Sequence, residues 1–137
     1  MRIYLSAAYA RRNEIAELAF RLRNLGADVV STWHDGSAEN EHKMLDHQRG
    51  QAAAKDLCEV QRCDVLLALT DAMTPDLDLS GGMRHVEFGT AWAIGKRIWR
   101  VGPADHIGHN LPGVFVLATV EALIEHVEMA CGAEVKS

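Results

Sequence analysis

Apolar residues along the chain follow two alternating rhythms. "RIYLSA" (2–7), "ADVVSTW" (27–33), "DVLLALT" (64–70), "KRIWRVG" (96–102) and "VFVLAT" (114–119) are short apolar runs, the pattern of buried strands. Longer segments with helical spacing separate them. In "YARRNEIAELAFRLRNLG", Ile15, Leu18, Ala19 and Leu22 recur at three- and four-residue intervals, and Gly26 marks the stop. Residues from about 44 to 62, 82 to 95 and 120 to 130 complete a set of four helices. This alternation predicts an α/β fold: a three-layer, doubly wound sandwich with a five-stranded, mainly parallel sheet of flavodoxin or Rossmann-like type.

Ligands in such sheets bind outside the carboxyl ends of the strands, where the strand order reverses. The segments gathered there are "SAAY", "STWHDG", "TDAMTPDLDLSGG" and "GPADHIGHNLPG". Three of them are the longest and most polar loops, so the site is expected among them. The length of 137 residues, without an internal repeat or low-complexity linker, suggests one domain over 1–137.

Charge and composition narrow the classes of partner. A net charge of −5 argues against a nucleic-acid footprint and favours a small-molecule substrate. No apolar run of about 18 residues and no apolar leader occurs, so neither a membrane span nor a signal peptide is expected. Cys58, Cys63 and Cys131 are odd in number and lack zinc-site spacing, as for reduced thiols in a cytoplasm. Among the seven histidines no pair at i, i+4 stands beside a third ligand, and His106 and His109 fall in a loop. A protein without metal or organic cofactor is expected.

Glu87 is the residue that asks for an explanation. On a helix starting near Gly82 it shares a face with Met83, Ala91 and Ile94, so a carboxylate interrupts an apolar stripe. An acid near a helix start also suits the macrodipole, worth about 0.3–1 kcal/mol. The preceding Ser80-Gly81-Gly82 offers backbone N–H groups without side-chain bulk, which suits an arriving anion. A carboxylate there is expected to stay ionised and to serve as a nucleophile toward an electrophilic carbon.

Other residues carry paired readings. Asp56 reads as a solvated helix acid, and Asp64 as a helix-to-strand turn residue. Asp71, Asp76 and Asp78 lack the spacing of a calcium loop. Arg11 and Arg12 are a solvated face or a patch for phosphate. Trp33, His34, Tyr4 and Tyr9 suit stacking on a base, although Tyr4 lies inside a strand and also suits the core.

Taken together, Ile3-Tyr4 in the first strand, Asp56-Leu57 ahead of Asp64, and a Gly-containing loop running into "VEFGTAWAIGK" resemble the nucleoside 2-deoxyribosyltransferase family. That family includes 2′-deoxynucleoside 5′-phosphate N-hydrolases. The resemblance runs from the first strand to about residue 128, and its most specific block is Gly81 to Gly95. It implies that Glu87 is the nucleophile attacking the anomeric carbon, and that Asp56 holds sugar hydroxyls or orients the nucleophile. Tyr4 matches the tyrosine beside the glutamate, and Asp78 the loop acid near the base. Ser80, Gly81 and Gly82 fall where nucleotide-specific members hold the 5′-phosphate. Apart from the resemblance, Trp33 and Ser6, which stands where the family usually places a glycine, are expected as substrate contacts. Asn110 in "HNLPGV" matches a residue reaching into a neighbouring subunit's site, which implies a homodimer or homotetramer. The tail "CGAEVKS" lacks the aromatic end of the nucleoside transferases, so transfer and hydrolysis both stay open.

The expected activity is cleavage or exchange of the N-glycosidic bond of a 2′-deoxynucleoside or its 5′-monophosphate. Alternatives are a ribonucleotide N-glycosidase and a binding module that senses a nucleotide derivative without chemistry.

Overall fold

The computed structural model describes residues 1–36, 44–70 and 82–136. Its strands are β1 (Arg2–Ser6), β2 (Asp28–Val29), β3 (Val65–Leu69), β4 (Arg97–Val101) and β5 (Val114–Leu117). The α-helices are α1 (Arg12–Asn24), α2 (Asp46–Arg62), α3 (Met83–Ala93) and α4 (Val120–Lys136), with 3-10 turns at Tyr9–Arg11 and Ile107–Asn110. All four strand pairs are parallel, in the order β2-β1-β3-β4-β5. The chain leaves β1 for one edge and returns to its other side as β3, so the order reverses at β1.

Two apolar layers flank the sheet, and strand parity decides which side chain enters which. Ile3 and Leu5 join Ile15, Leu18 and Leu22 of α1 and Leu123 and Val127 of α4. Tyr4 turns to the opposite layer, with Val60 of α2 and Phe88 and Ala91 of α3. α1 and α3 end as predicted: Gly26 and Gly95 adopt φ of 98° and 81°, the left-handed turn that closes a helix without a Cβ clash.

Two boundaries differ from the sequence pattern. The second strand is predicted over 27–33 but pairs only at Asp28 and Val29. Beyond Val30 the free edge of β1 is taken by side chains: the Leu5 N–H donates to Ser31 Oγ at 3.1 Å, and the Trp33 indole N–H donates to the Leu5 carbonyl at 2.7 Å. These bonds replace a backbone ladder and release residues 32–34 to turn toward α2. At the other end, α4 runs on to Lys136 instead of stopping at Ala130. Cys131, buried against the turn at Gly26, anchors that continuation.

Candidate active site

The parity that sends Tyr4 to the α2/α3 layer sends Ser6 the same way, and both hydroxyls meet Glu87. Tyr4 donates to Glu87 Oε2 at 2.8 Å, and Ser6 Oγ donates to Oε1 at 2.9 Å. The carboxylate is 4% exposed, so its two oxygens are held in a fixed plane. The apolar stripe expected around it is narrower than the sequence suggests. Glu87, Phe88 and Ala91 form the buried face of α3, whereas Ile94 is half exposed beyond the end of the helix.

The expectation that Glu87 is simply ionised is corrected. Burial pushes its pKa up from 4.5 to about 7, against the lowering effect of the Tyr4 and Ser6 hydrogen bonds, and Asp56 and Glu59 add repulsion. Burial therefore favours the protonated form well above the usual carboxylate range. Glu87 is the fifth residue of α3, beyond the first turn where the helix dipole acts. Tyr4 stays a phenol: burial, then the charge of Glu87, raises its pKa far above the usual value.

A cavity of about 490 Å³ opens over this carboxylate, within the size range of small-molecule sites. Ala7, Ala8 and Tyr9 at the end of β1, Thr32 and Trp33 after β2, one face of α2, and Gly82 to Arg84 of α3 enclose it. Asp56 lines it from α2, with a pKa raised to about 6 by burial and then by Glu59, partly offset by Lys55. Arg49, Lys55 and Arg84 bring positive charge to the rim, and Arg84 also meets Asp105 at 3.0 Å.

Of the residues singled out from sequence, Glu87, Asp56, Trp33, Tyr9 and Gly82 line the cavity, with the Tyr4 hydroxyl directly behind the carboxylate. Ser6 is 2% exposed, does not line the cavity, and spends its hydroxyl on Glu87. Asn110 is exposed at the end of the 3-10 turn, outside its own cavity. Asp78, Ser80 and Gly81, like Asp71 and Asp76, lie outside the described residues. Asp64 caps the entry to β3 by accepting from the Arg2 backbone N–H at 2.8 Å and from its guanidinium at 3.1 Å.

Arg11 is neither the solvated face nor the phosphate patch expected. It is 3% exposed, donating to the Leu69 carbonyl at 3.1 Å and to Glu14 at 2.6 and 3.0 Å. The 3-10 turn folds it inward, where it satisfies the carbonyl at the end of β3. Arg12 stays outside, its guanidinium 4.8 Å from the centre of the Tyr9 ring. His34 is buried rather than poised to stack on a base. It sits 2.8 Å from Ser31 Oγ, and its pKa is lowered to about 4 by burial and then by the charge of Arg23.

Three features escaped the sequence reading. Glu59, 2% exposed, accepts from the Thr32 N–H at 3.1 Å and from its hydroxyl at 2.8 Å, which fixes the segment carrying Trp33. Its spacing of three from Asp56 places both acids toward the sheet and was the available signal. Arg49 and Lys55 of the basic rim lie along α2 and give no pattern of their own. His85, Asp105 and His109 converge from α3 and the loop after β4, which linear spacing could not show.

Comparison with protein-family models gives no match, and neither does comparison with curated protein sequences. Solved structures do share the fold. A CMP N-glycosidase from Clostridium botulinum superposes with a TM-score of 0.57 at 20% identity, covering 94% of this chain and 99% of that one. A 2-deoxyribosyltransferase from Bacillus psychrosaccharolyticus gives 0.68 at 17% identity, covering 90% of each. A conserved protein from Enterococcus faecalis gives 0.65 at 20% identity, covering 95% and 98%. At these identities the likeness establishes the shared α/β architecture.

Proposed function

We propose that the protein cleaves or exchanges the N-glycosidic bond of a 2′-deoxynucleoside or its 5′-monophosphate, with Glu87 as nucleophile. The observation that carries this reading is the buried Glu87 carboxylate, held by one hydroxyl on each oxygen at the floor of the cavity. Two solved neighbours named for chemistry on nucleotides and deoxyribosyl groups share the fold, which supports the same reading.

In this mechanism an ionised Glu87 oxygen attacks C1′ of the sugar. The C1′–N bond breaks, and its electron pair leaves on the base, which takes up a proton. The transition state is oxocarbenium-like, so the adjacent carboxylate charge stabilises it. Tyr4 and Ser6 keep the attacking plane fixed as charge leaves the carboxylate. Water or a second base then attacks C1′ of the glycosyl ester from the other face. Glu87 is released and the configuration retained. For water, one proton is lost, and Asp56, with a pKa of about 6, is placed to receive it or to hold a sugar hydroxyl.

Arg49, Lys55 and Arg84 on the rim favour a 5′-phosphate over a bare nucleoside, through charge-assisted bonds worth roughly 1.5–3 kcal/mol each. A ribonucleotide substrate is the second reading, favoured by the CMP N-glycosidase likeness. The exposed Asn110 supports a homo-oligomer in which a neighbouring subunit completes the site.

The decisive experiment incubates the protein with deoxynucleosides, their 5′-monophosphates and ribonucleotides, measuring free base with and without an acceptor base. Base release that falls at least about a thousandfold in Glu87→Ala supports the proposal. Tight binding without turnover by the unsubstituted protein points to a sensor and overturns it.

A further inference from the structure

Behind the catalytic helix, three side chains carrying lone pairs converge, and none of them lines the cavity. His85 comes from the first turn of α3, and Asp105 and His109 from the loop after β4. Their ligand-capable atoms all lie within 4.8 Å of one another.

The local hydrogen bonding is incomplete in a telling way. The Asp105 backbone N–H reaches His109 Nδ1 at a long 3.3 Å, so this nitrogen acts as an acceptor. The same nitrogen stands 3.0 Å from Asp105 Oδ1, which also accepts from the Arg84 guanidinium at 3.0 Å. His85 Nδ1 is covered from solvent and has no hydrogen-bond partner among the described residues. A covered imidazole nitrogen without a partner costs free energy, and a cation bound by His85 Nδ1 would remove that cost.

We propose that His85, Asp105 and His109 form a binding site for a divalent transition-metal ion of the Zn(II) class. Zn(II) bonds of about 2.0–2.1 Å to imidazole nitrogen and carboxylate oxygen place tetrahedral ligand atoms roughly 3.3 Å apart. The His109–Asp105 pair is already near that spacing, and rotation of the partly exposed His85 ring closes the rest. The fourth position falls to water or to His106, whose exposed ring stacks on His85 with centroids 4.3 Å apart.

Neighbouring charges select the ion. Arg84 meets Asp105 at 3.0 Å, and Arg100 donates to the His109 carbonyl at 2.7 Å. One guanidinium on the carboxylate and a second on the His109 backbone carbonyl disfavour Mg(II) and Ca(II), which depend on anionic oxygen ligands. Imidazole-rich sets favour Zn(II), Ni(II) and Cu(II), whose bonds to nitrogen tolerate that repulsion. Arg84 would serve as an outer partner that orients the carboxylate. An ion here would tie the start of α3, two residues ahead of Glu87, to the loop ending at Asn110.

The test titrates the full chain with Co(II), following the visible bands of a low-coordinate site, then displaces it with Zn(II). One equivalent should bind, Zn(II) should raise Tm, and excess Mg(II) should do neither. His85→Asn, at a partly exposed position that leaves the core intact, should weaken binding at least about tenfold, as should Asp105→Asn. His47→Asn, on exposed α2, should bind as the unsubstituted chain does. Absence of stoichiometric binding, or equal binding by His85→Asn and the unsubstituted chain, overturns the proposal.

Discussion

Replacing Glu87 by Gln should abolish base release and, at neutral pH and above, make the protein more stable. The displacement of the carboxyl pKa from 4.5 to about 7 is a folded-state penalty on ionisation. It corresponds to about 3 kcal/mol once the group is ionised in both states. The sign follows from proton counting. Between pH 4.5 and 7 the folded state holds more proton than the unfolded chain, so stability falls as pH rises, then levels off above about 7. Glutamine has the shape of the protonated acid and keeps an acceptor for Tyr4, while its amide can donate to Ser6. Urea unfolding of both proteins from pH 4 to 8.5 should therefore show nearly equal midpoints at the acid end. Toward pH 8 a gap approaching 3 kcal/mol in favour of Glu87→Gln should open, with unchanged m-values. A Gln variant that is less stable at pH 8, or a gap independent of pH, would refute the idea that burial of Glu87 is held against a cost for function.

Tyr4→Phe removes a hydrogen bond that lowers the Glu87 pKa, so the acid limb of the kcat/KM profile should move up by about one pH unit. An unchanged limb would show that Glu87 does not set it. Arg11→Met leaves the Leu69 carbonyl and Glu14 without their donor and should cost about 2–3 kcal/mol in urea unfolding. KM for a 5′-monophosphate should stay the same, and a large rise in KM would return Arg11 to the phosphate site. Mixing inactive Glu87→Ala and Asn110→Ala subunits should restore part of the activity, whereas an active monomer in sedimentation would dismiss shared sites.

The sheet was legible because its apolar runs are short and separated by helical periodicity. Glu87 stood out for the same reason, as a charge on a stripe that should be apolar. Its surroundings were less legible, because hydrogen bonds bridging 81 and 83 residues leave no local pattern. Arg11 misled because arginine is almost always exposed, and only the 3-10 turn directs it to the end of β3. The shortened β2 depends on Ser31 and Trp33 taking the edge of β1, a competition between side chain and backbone that hydrophobic pattern does not record. His85 and His109 are 24 positions apart and meet only because β4 returns the chain beside α3.

The inner place of β1 has a consequence for synthesis. β1 carries both hydroxyls that grip Glu87 and docks between β2 and β3, so the grip closes only when α3 packs on the sheet. A nascent chain that ends before residue 87 holds both hydroxyls without the carboxylate they grip. Closure of this grip thus reports that segments more than 80 residues apart have met, and split-chain complementation would read it directly.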